Sequence, residues 1–282
     1  MKNGWLKVNL YKFDFSLFQD ERKMNVFGKI KLFIQIIKVL KNWYVVPSIY
    51  LKRTDKEFET LITRTGIKIK IRINSTDLMA FTHVWIIKEY SKPGFEINDK
   101  DIVIDVGAHI GLFSLFASQF CKKGKIFSFE PIKENFELLK KNIEINEITN
   151  ITFFNEAISD KTSKMTLYQN EDEAGHSKFV KTSKSMEVNS KSFKEFLDER
   201  KIDSYDLLKL DCEGSEYEII ESLPPNYFEK LKKIIIEYHL ADTEPDLIKN
   251  LKLKLVNLSY KISIKPLFDD IGFLYAKNEK LL

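Results

Sequence analysis

IVIDVGAHIG, residues 102–111, is the stretch whose reading decides the fold. Ile102, Val103 and Ile104 run unbroken into Asp105, and a run of β-branched residues suits a strand buried on both faces of a parallel sheet. Gly107 and Gly111 follow, and residues 112–120 (LFSLFASQF) then repeat apolar residues at helical spacing, so the glycines lie in a strand-to-helix turn. Such a turn is a binding place. Glycine keeps no Cβ between backbone and ligand, and a helix N-terminus presents free N–H groups at the positive end of its dipole. Asp105, at the strand's carboxyl end, is placed to hold a cationic group of a ligand, directly or through water. The blander alternative is an ordinary turn whose glycines serve only its geometry.

Working outward, residues 125–131 (KIFSFEP) make a second strand ending on Glu130, 25 residues after Asp105. An acid there is placed to accept both ribose hydroxyls of an adenosine. The GxGxxG spacing that brings backbone onto a pyrophosphate is absent, because Ala108 and His109 stand between Gly107 and Gly111. An adenosine ligand without a phosphate fits better, and S-adenosylmethionine is the common one.

The alternation continues with a helix at 133–146 and a strand at 151–155. Asn155 and Glu156 close that strand, where either could bond an adenine edge or simply belong to a solvated loop. Short strands at 165–169, 178–182 and 185–189 surround an acidic loop, 170–177, whose Gly175 and His176 suit closure over a substrate as well as plain solvation. After a helix at 192–201, a strand at 206–210 carries Lys209 and runs into Asp211 and Glu213, and the strand at 232–239 ends in Glu237 and His239. One acid at a strand tip is usually a helix cap. Four such tips, at Asp105, Glu130, Asp211 and Glu237, point to a shared site at the carboxyl edge, where open α/β sheets bind ligands. Segments 260–267 and 271–278 complete seven elements with an antiparallel hairpin at the sheet's edge.

The chain's 282 residues, 44% hydrophobic, allow one large α/β domain with an N-terminal helical and strand extension, divided here as 1–65 and 66–282. Net charge is only +4, but residues 1–72 hold 16 Lys+Arg against 6 Asp+Glu, leaving 29 against 35 for the remainder. That argues against a nucleic-acid groove across the main domain and allows an anionic partner at the front. Residues 26–50 read as one basic amphipathic helix limited by Pro47, with Phe27, Ile30, Ile34, Ile37 and Leu40 on one face and Lys29, Lys31, Lys38 and Lys41 interleaved. Such a helix packs on the main domain or docks peripherally on an anionic membrane surface. Residues 66–73 alternate as a half-exposed strand, and 77–90 look helical.

Two cysteines and four scattered histidines make neither a disulfide framework nor a metal site. A reducing, cytoplasmic compartment is therefore expected, with membrane association only through residues 26–50. The first fifteen residues lack the apolar region of a secretion signal, and no long uncharged apolar run predicts a membrane span.

Taken together, these motifs resemble the FkbM family of S-adenosylmethionine-dependent methyltransferases over residues 67–276. The resemblance rests on DVGAHIGLFS, on FEP at 129–131 with Asn142 and Asn146 in the following helix, on NEAISD at 155–160, on GHS at 175–177 and above all on LLKLDCEGSE at 207–216. It implies a seven-stranded Rossmann-like class I methyltransferase fold with helices on both faces, S-adenosylmethionine as cofactor, and O-methylation of a hydroxyl on a sugar, glycan or other natural product. The family prefers Asn where this chain has His109, a polar exchange in the cofactor turn not expected to abolish binding.

On this reading Asp105, Gly107, His109 and Gly111 hold the methionine portion, Glu130 the ribose, and Asn155 or Glu156 the adenine edge. Asp211, Glu213 or His239 is the general base, with Lys209 neutralising charge. In the alternative version Asp211 and Glu213 bind a divalent cation that acidifies the hydroxyl. A nicotinamide-dependent oxidoreductase and a non-catalytic adenosyl-ligand-binding protein are the competing classes; the missing third glycine disfavours the first. A nucleic-acid methyltransferase is disfavoured by the absence of both an Asn-Pro-Pro-aromatic run and a basic cleft.

Overall fold

The buried run at 102–106 is the middle strand of a seven-stranded sheet. The computed structural model describes residues 26–51, 53–169, 176–177 and 185–281. The described chain opens with helices α1 (Val26–Val39) and α2 (Val45–Tyr50), a hairpin of β1 (Phe58–Ile62) and β2 (Lys68–Arg72), α3 (Asp77–Phe81) and a π-helical turn, Thr82–Ile87. Strand and helix then alternate: β3 (Ile102–Val106), α4 (Leu112–Ser118), β4 (Lys125–Phe129), α5 (Lys133–Glu144) and β5 (Ile151–Phe154). A side sheet follows, of β6 (Ala157–Ser159), β7 (Ser163–Gln169), β8 (His176–Ser177) and β9 (Ser185–Ser192). The chain returns through α6 (Phe193–Glu199), β10 (Tyr205–Leu210), α7 (Glu216–Ser222), α8 (Pro225–Phe228), β11 (Leu231–Tyr238), α9 (Pro245–Asn257), β12 (Tyr260–Pro266) and β13 (Gly272–Asn278).

The sheet order is β12-β13-β11-β10-β3-β4-β5, parallel from β11 to β5, with β13 antiparallel to both its neighbours. Strand order therefore reverses between β3 and β10, which opens the crevice where such sheets bind ligands. The pleat divides the core by period two. Val103 joins a cluster with Ile71, Trp85 and Leu115, while Ile104 joins one with Phe193, Leu208 and Ile219, so both faces are covered. The closing hairpin is not wholly at the edge. Residues 273–276 (Phe-Leu-Tyr-Ala) are buried without alternation, which fits β13 to the interior beside β11, while β12, buried only at Tyr260 and otherwise half-buried or exposed, takes the rim.

Three local expectations change. The helix expected over 26–50 breaks after Val39, because Leu40 bridges Thr63, Lys41 N–H bonds Ile62 O, and the Asn42 side chain bonds Ile62 N–H and Thr60 O. Pro47 lies inside the first turn of α2, where its missing N–H costs nothing, and does not end the helix. Nor does packing break at 65/66: that boundary falls in the β1–β2 turn, and Leu40, Leu61 and Ile69 share one core with Val103. Asn142 and Asn146 explain themselves here. From α5 and the turn just past its end they bond the N–H and C=O groups of Lys70 and Lys68, satisfying the outer edge of β2.

The expected strand at 178–182 and residues 170–175 of the acidic loop, Gly175 included, lie outside the described residues, as do residues 1–25. No helix among the described residues is long and apolar enough to cross a membrane. Cys121 and Cys212 are both free.

Candidate active site

The turn after β3 spends four of its donors on the protein itself. Gly107 and Ala108 N–H both bond Phe129 O (3.1 and 2.9 Å), His109 N–H bonds Glu130 Oε2 (2.8 Å), and Gly111 N–H bonds Ala108 O (2.8 Å). The glycines make room for protein. Gly107 has φ +75° and a Cβ there would lie 1.7 Å from Asp211 O; at Gly111, φ +87°, it would lie 3.3 Å from Leu139 Cγ. Gly107 still borders the cavity described below, whereas Gly111 does not. Asp105 is also displaced from its expected role. It is 0% exposed, accepts from Ser114 Oγ (2.6 Å) and lies 3.1 Å from Lys209 Nζ, so it acts on the site through Lys209 and not on a ligand.

Above this turn opens a cavity of about 740 Å³ at the carboxyl edge of the sheet. At the β4 end Glu130, 4% exposed, accepts the N–H groups of His109 and Ile132 (2.9 Å) and the Asn135 amide (3.4 Å). Burial pushes its carboxyl up to about 7 against those donors. Beside it Pro131, Ile132, Ala157 and Ile158 give an apolar wall, which Met165, Leu167 and Met186 of the side sheet extend. Asn155 and Glu156 are not among the lining residues. The Asn155 amide instead bonds Glu130 O and Pro131 O, fixing the turn beneath the acid.

His109, at φ +51°, lines the same end, its Nε2 3.2 Å from Arg72 Nη2 and 3.4 Å from Asp77 Oδ1. Burial pushes this imidazole down to about 4, with the Asp77 charge opposing and Arg72 adding, so it is neutral at pH 7. Arg72 grips the fully buried Asp77 through two bonds (2.8 and 3.0 Å) and reaches Asn135 Oδ1 at 2.8 Å.

At the β10–β11 end the expected residues come together: Lys209, Asp211, Glu213 and His239 all line the cavity, joined by Glu237 and Tyr90. Lys209 Nζ lies 3.1 Å from Asp105 and 3.5 Å from Asp211 and donates to Gly107 O (2.7 Å). Burial alone would lower its pKa, but the two carboxylates outweigh it, so Lys209 is a fixed cation. Burial likewise would raise Asp211, yet Lys209 and His239 hold it below the ordinary carboxylate range. Glu237 goes the other way: burial, reinforced by the Asp211 charge, pushes it up to about 8, and burial pushes Glu213 up to about 7. One hydroxyl spans the divided pair, Tyr90 Oη lying 2.7 Å from Glu237 Oε2 and 3.0 Å from Asp211 Oδ2. Tyr90 has one proton for two carboxylates, so a proton held by Glu237 completes the network.

His239 is oriented from behind. Its Nδ1 lies 3.1 Å from Glu216 Oε1, which also takes the His239 N–H (2.9 Å), while Glu216 Oε2 takes Gly214 N–H (2.8 Å). Burial would lower the imidazole, but Glu216 outweighs it and lifts it well above its usual value. Its Nε2 lies 3.8 Å from Glu213 Oε2. For a cation, the side chains among the described residues whose ligand atoms come within 4.8 Å of one another are Asp211, Glu237 and His239, which replaces the Asp211–Glu213 pair inferred from sequence.

Four residues escaped the sequence reading as site residues: Tyr90, Arg72, Asp77 and Glu216. The first three precede β3 and belong to none of the four acid-tipped strands, although Arg72 ends β2; Glu216 closes LLKLDCEGSE, where the sequence reading assigns it no role of its own.

This sheet order with a cavity at its reversal point defines a Rossmann-like α/β protein of the class I methyltransferase type. Residues 105–262 match the Methyltransferase FkbM domain, and the chain belongs to that family. "Methyltransferase 1" of Beauveria bassiana is 24% identical over 173 residues, 52% of this chain and 68% of the relative. Hexuronic acid methyltransferase AglP of Haloferax volcanii is 25% identical over 154 residues, 55% of this chain and 62% of the relative. The 31-O-demethyl-FK506 methyltransferase FkbM of Streptomyces tacrolimicus is 24% identical over 185 residues, 54% of this chain and 71% of the relative. This chain thus spans between 62 and 71% of these three relatives' lengths.

Proposed function

We propose that the chain is an S-adenosylmethionine-dependent O-methyltransferase acting on a hydroxyl of a sugar, glycan or other natural product. The observation that carries this is one cavity holding Glu130 beside an apolar wall at one end and Asp211, Glu237 and His239 at the other. A carboxylate next to an apolar slot suits an adenosine. Glu130 would take the ribose hydroxyls, Pro131, Ile132, Ala157 and Ile158 would flank the adenine, and Gly107 and His109 would border the methionine portion. Bound there, the cofactor supplies a methyl group on a cationic sulfonium.

The rest is done by this chain's own groups. Asp211, kept ionised by Lys209, offers the sulfonium side a fixed negative charge. Glu237, with its carboxyl at about 8, first gives up the proton it shares with the Tyr90 network; in that ionised form, whose fraction grows as pH rises toward 8, it accepts the hydroxyl proton as the acceptor oxygen attacks, the O–H bond breaking toward Glu237. His239, held by Glu216 and cationic, steadies the charge that the acceptor oxygen develops. Holding both reactants in line supplies much of the acceleration. A hydroxyl acceptor agrees with the name of one relative, which acts on a 31-O-demethyl compound, and a sugar acceptor with the name of another, which acts on a hexuronic acid.

The test is a donor-consumption screen of the full chain against soluble sugars and sugar nucleotides, with products read by mass. Methylated product from a hydroxyl acceptor supports the reading; no S-adenosylmethionine binding by calorimetry overturns it. The ligand set Asp211, Glu237 and His239 favours a second version, in which a divalent cation acidifies the hydroxyl. Activity unchanged after exhaustive chelation removes that version.

A further inference from the structure

Helix α1 (Val26–Val39) is apolar on two faces, and only one is covered. Leu32 and Ile36, with Leu40 just beyond, join the main core and pack toward the π-helical turn. On the other face Phe27 is 72%, Ile30 51%, Ile34 45% and Phe33 37% exposed. The face that the sequence pattern favours for packing is therefore largely the one left in water. The reason is Leu40, which turns inward with the bridge to Thr63 and carries Ile36 with it.

Four neighbouring large apolar side chains are more than isolated surface hydrophobes. The patch continues into aromatics: Phe33 packs edge-on against Trp43 at 5.6 Å, and Tyr44 is 66% exposed. Its charge is all of one sign. Residues 26–54 contain Lys29, Lys31, Lys38, Lys41, Lys52 and Arg53 and not one Asp or Glu. Lys29, Lys38 and Lys41 are exposed beside the apolar face, and Lys31 Nζ sits 5.9 Å from the Phe27 ring centre. Apolar and aromatic groups rimmed by lysine, in a stretch whose own sequence from 26 to 54 holds no acid, fit the interface of an anionic bilayer.

We propose that this face of α1 docks on an anionic lipid surface, with Phe27, Ile30, Phe33 and Ile34 entering the headgroup boundary and the flanking lysines meeting lipid phosphates. A protein partner would have to supply an acidic rim around an apolar groove, whereas the bilayer presents both over the whole length of the helix. The docking is independent of the methyl-transfer reading, and each can fail alone.

The test is sedimentation of the full chain with phosphatidylcholine vesicles, with and without about one-third phosphatidylglycerol. Binding is expected to the anionic vesicles only and to weaken as salt rises. The double variant Ile30→Glu/Ile34→Glu should lower the bound fraction about tenfold or more, and Lys29→Glu/Lys38→Glu should do the same through charge. These side chains are exposed, so the thermal midpoint should hold, and the lysine variant serves should the isoleucine one misfold. Wild-type protein left in the supernatant, or variants that sediment like wild type, overturns the proposal. So does a wild-type dimer that ignores vesicles and becomes monomeric in the isoleucine variant, which would assign the face to a second copy. A patch covered by residues 1–25 would leave wild type unbound and is excluded by the expected result.

Discussion

The two ends of the cavity handle their polar groups in opposite ways. Around Glu130 both carboxylate oxygens already accept protein donors, and His109 is neutral and lodged against Arg72. Around Asp211 and Glu237, two acids, a tyrosine, a histidine and a lysine face one another; Lys209 and His239 hold Asp211 below its usual range against burial, while burial and the Asp211 charge push Glu237 up to about 8. The first arrangement is a socket, with geometry fixed before anything enters it. The second is a reservoir for one proton, the pattern that separates an acid from a base within one site. If the division is real, changes at the two ends should fail in different measurements.

The largest effect is expected at Glu237. Glu237→Gln should lower kcat by about 10²–10⁴ and leave cofactor affinity by calorimetry unchanged, since it removes only the proton acceptor. In wild type, log kcat should climb with pH until the Glu237 carboxyl at about 8 is ionised, and the variant should lose that limb. A variant that instead loses cofactor binding with intact turnover would assign Glu237 to the socket.

Lys209 crosses the division, because it pairs with Asp105 under β3 and with Asp211 at the other end. Lys209→Met strips the cation from the buried Asp105 and the half-buried Asp211 and should cost about 3–5 kcal/mol in urea unfolding, with protonation of Asp211 displaced upward. A loss below about 1 kcal/mol, the scale of a surface pair, would mean the acids share their proton without it. Next in size is Glu130→Ala. Losing charge-assisted bonds worth about 1.5–3 kcal/mol should weaken cofactor binding by about 10- to 150-fold, with kcat at saturation nearly intact. Equal losses in affinity and kcat would erase the distinction between the ends.

How much of this could be read beforehand follows the same line. The strand tips were legible because an unbroken apolar run stopping on an acid is local, and Lys209, Asp211, Glu213 and His239 do meet at one cavity. What those tips do with their neighbours was not local. Asp105 ends a strand as Glu130 does, but Ser114 and Lys209 turn it into the core. Gly107 looked like space for a ligand until Asp211 O, about a hundred residues on, filled it. Tyr90 and Arg72 enter from ahead of the strand-and-helix units, where the period gave an element but no reason to aim it at the site, and Asn155 spends its amide on the turn below Glu130. The amphipathic helix shows the same limit. Its period told that α1 has an apolar face, but the choice between two faces was made by the Leu40–Thr63 bridge.

The smallest predicted effect tests the socket most finely. His109 has a neutral ring that touches Arg72, so His109→Asn, the exchange the FkbM resemblance suggests, should change cofactor affinity by less than about threefold, within the range of a neutral hydrogen bond. Its signature lies in pH. A histidine whose folded pKa is depressed to about 4 contributes stability that is present above about 6.5 and lost as pH falls toward 4. Glu130, Glu213 and Glu237 act with the opposite sign: raised to about 7, 7 and 8, their contribution is full below about 4.5 and lost as pH rises through those values. Wild-type thermal midpoints should therefore fall on the alkaline side for the carboxylates and on the acid side for His109. The Asn variant should flatten only the acid side, between pH 6.5 and 4. An unchanged acid side would mean that His109 titrates as it does in the unfolded chain, and its ring would lose its claim to be held neutral at the β3–β4 end.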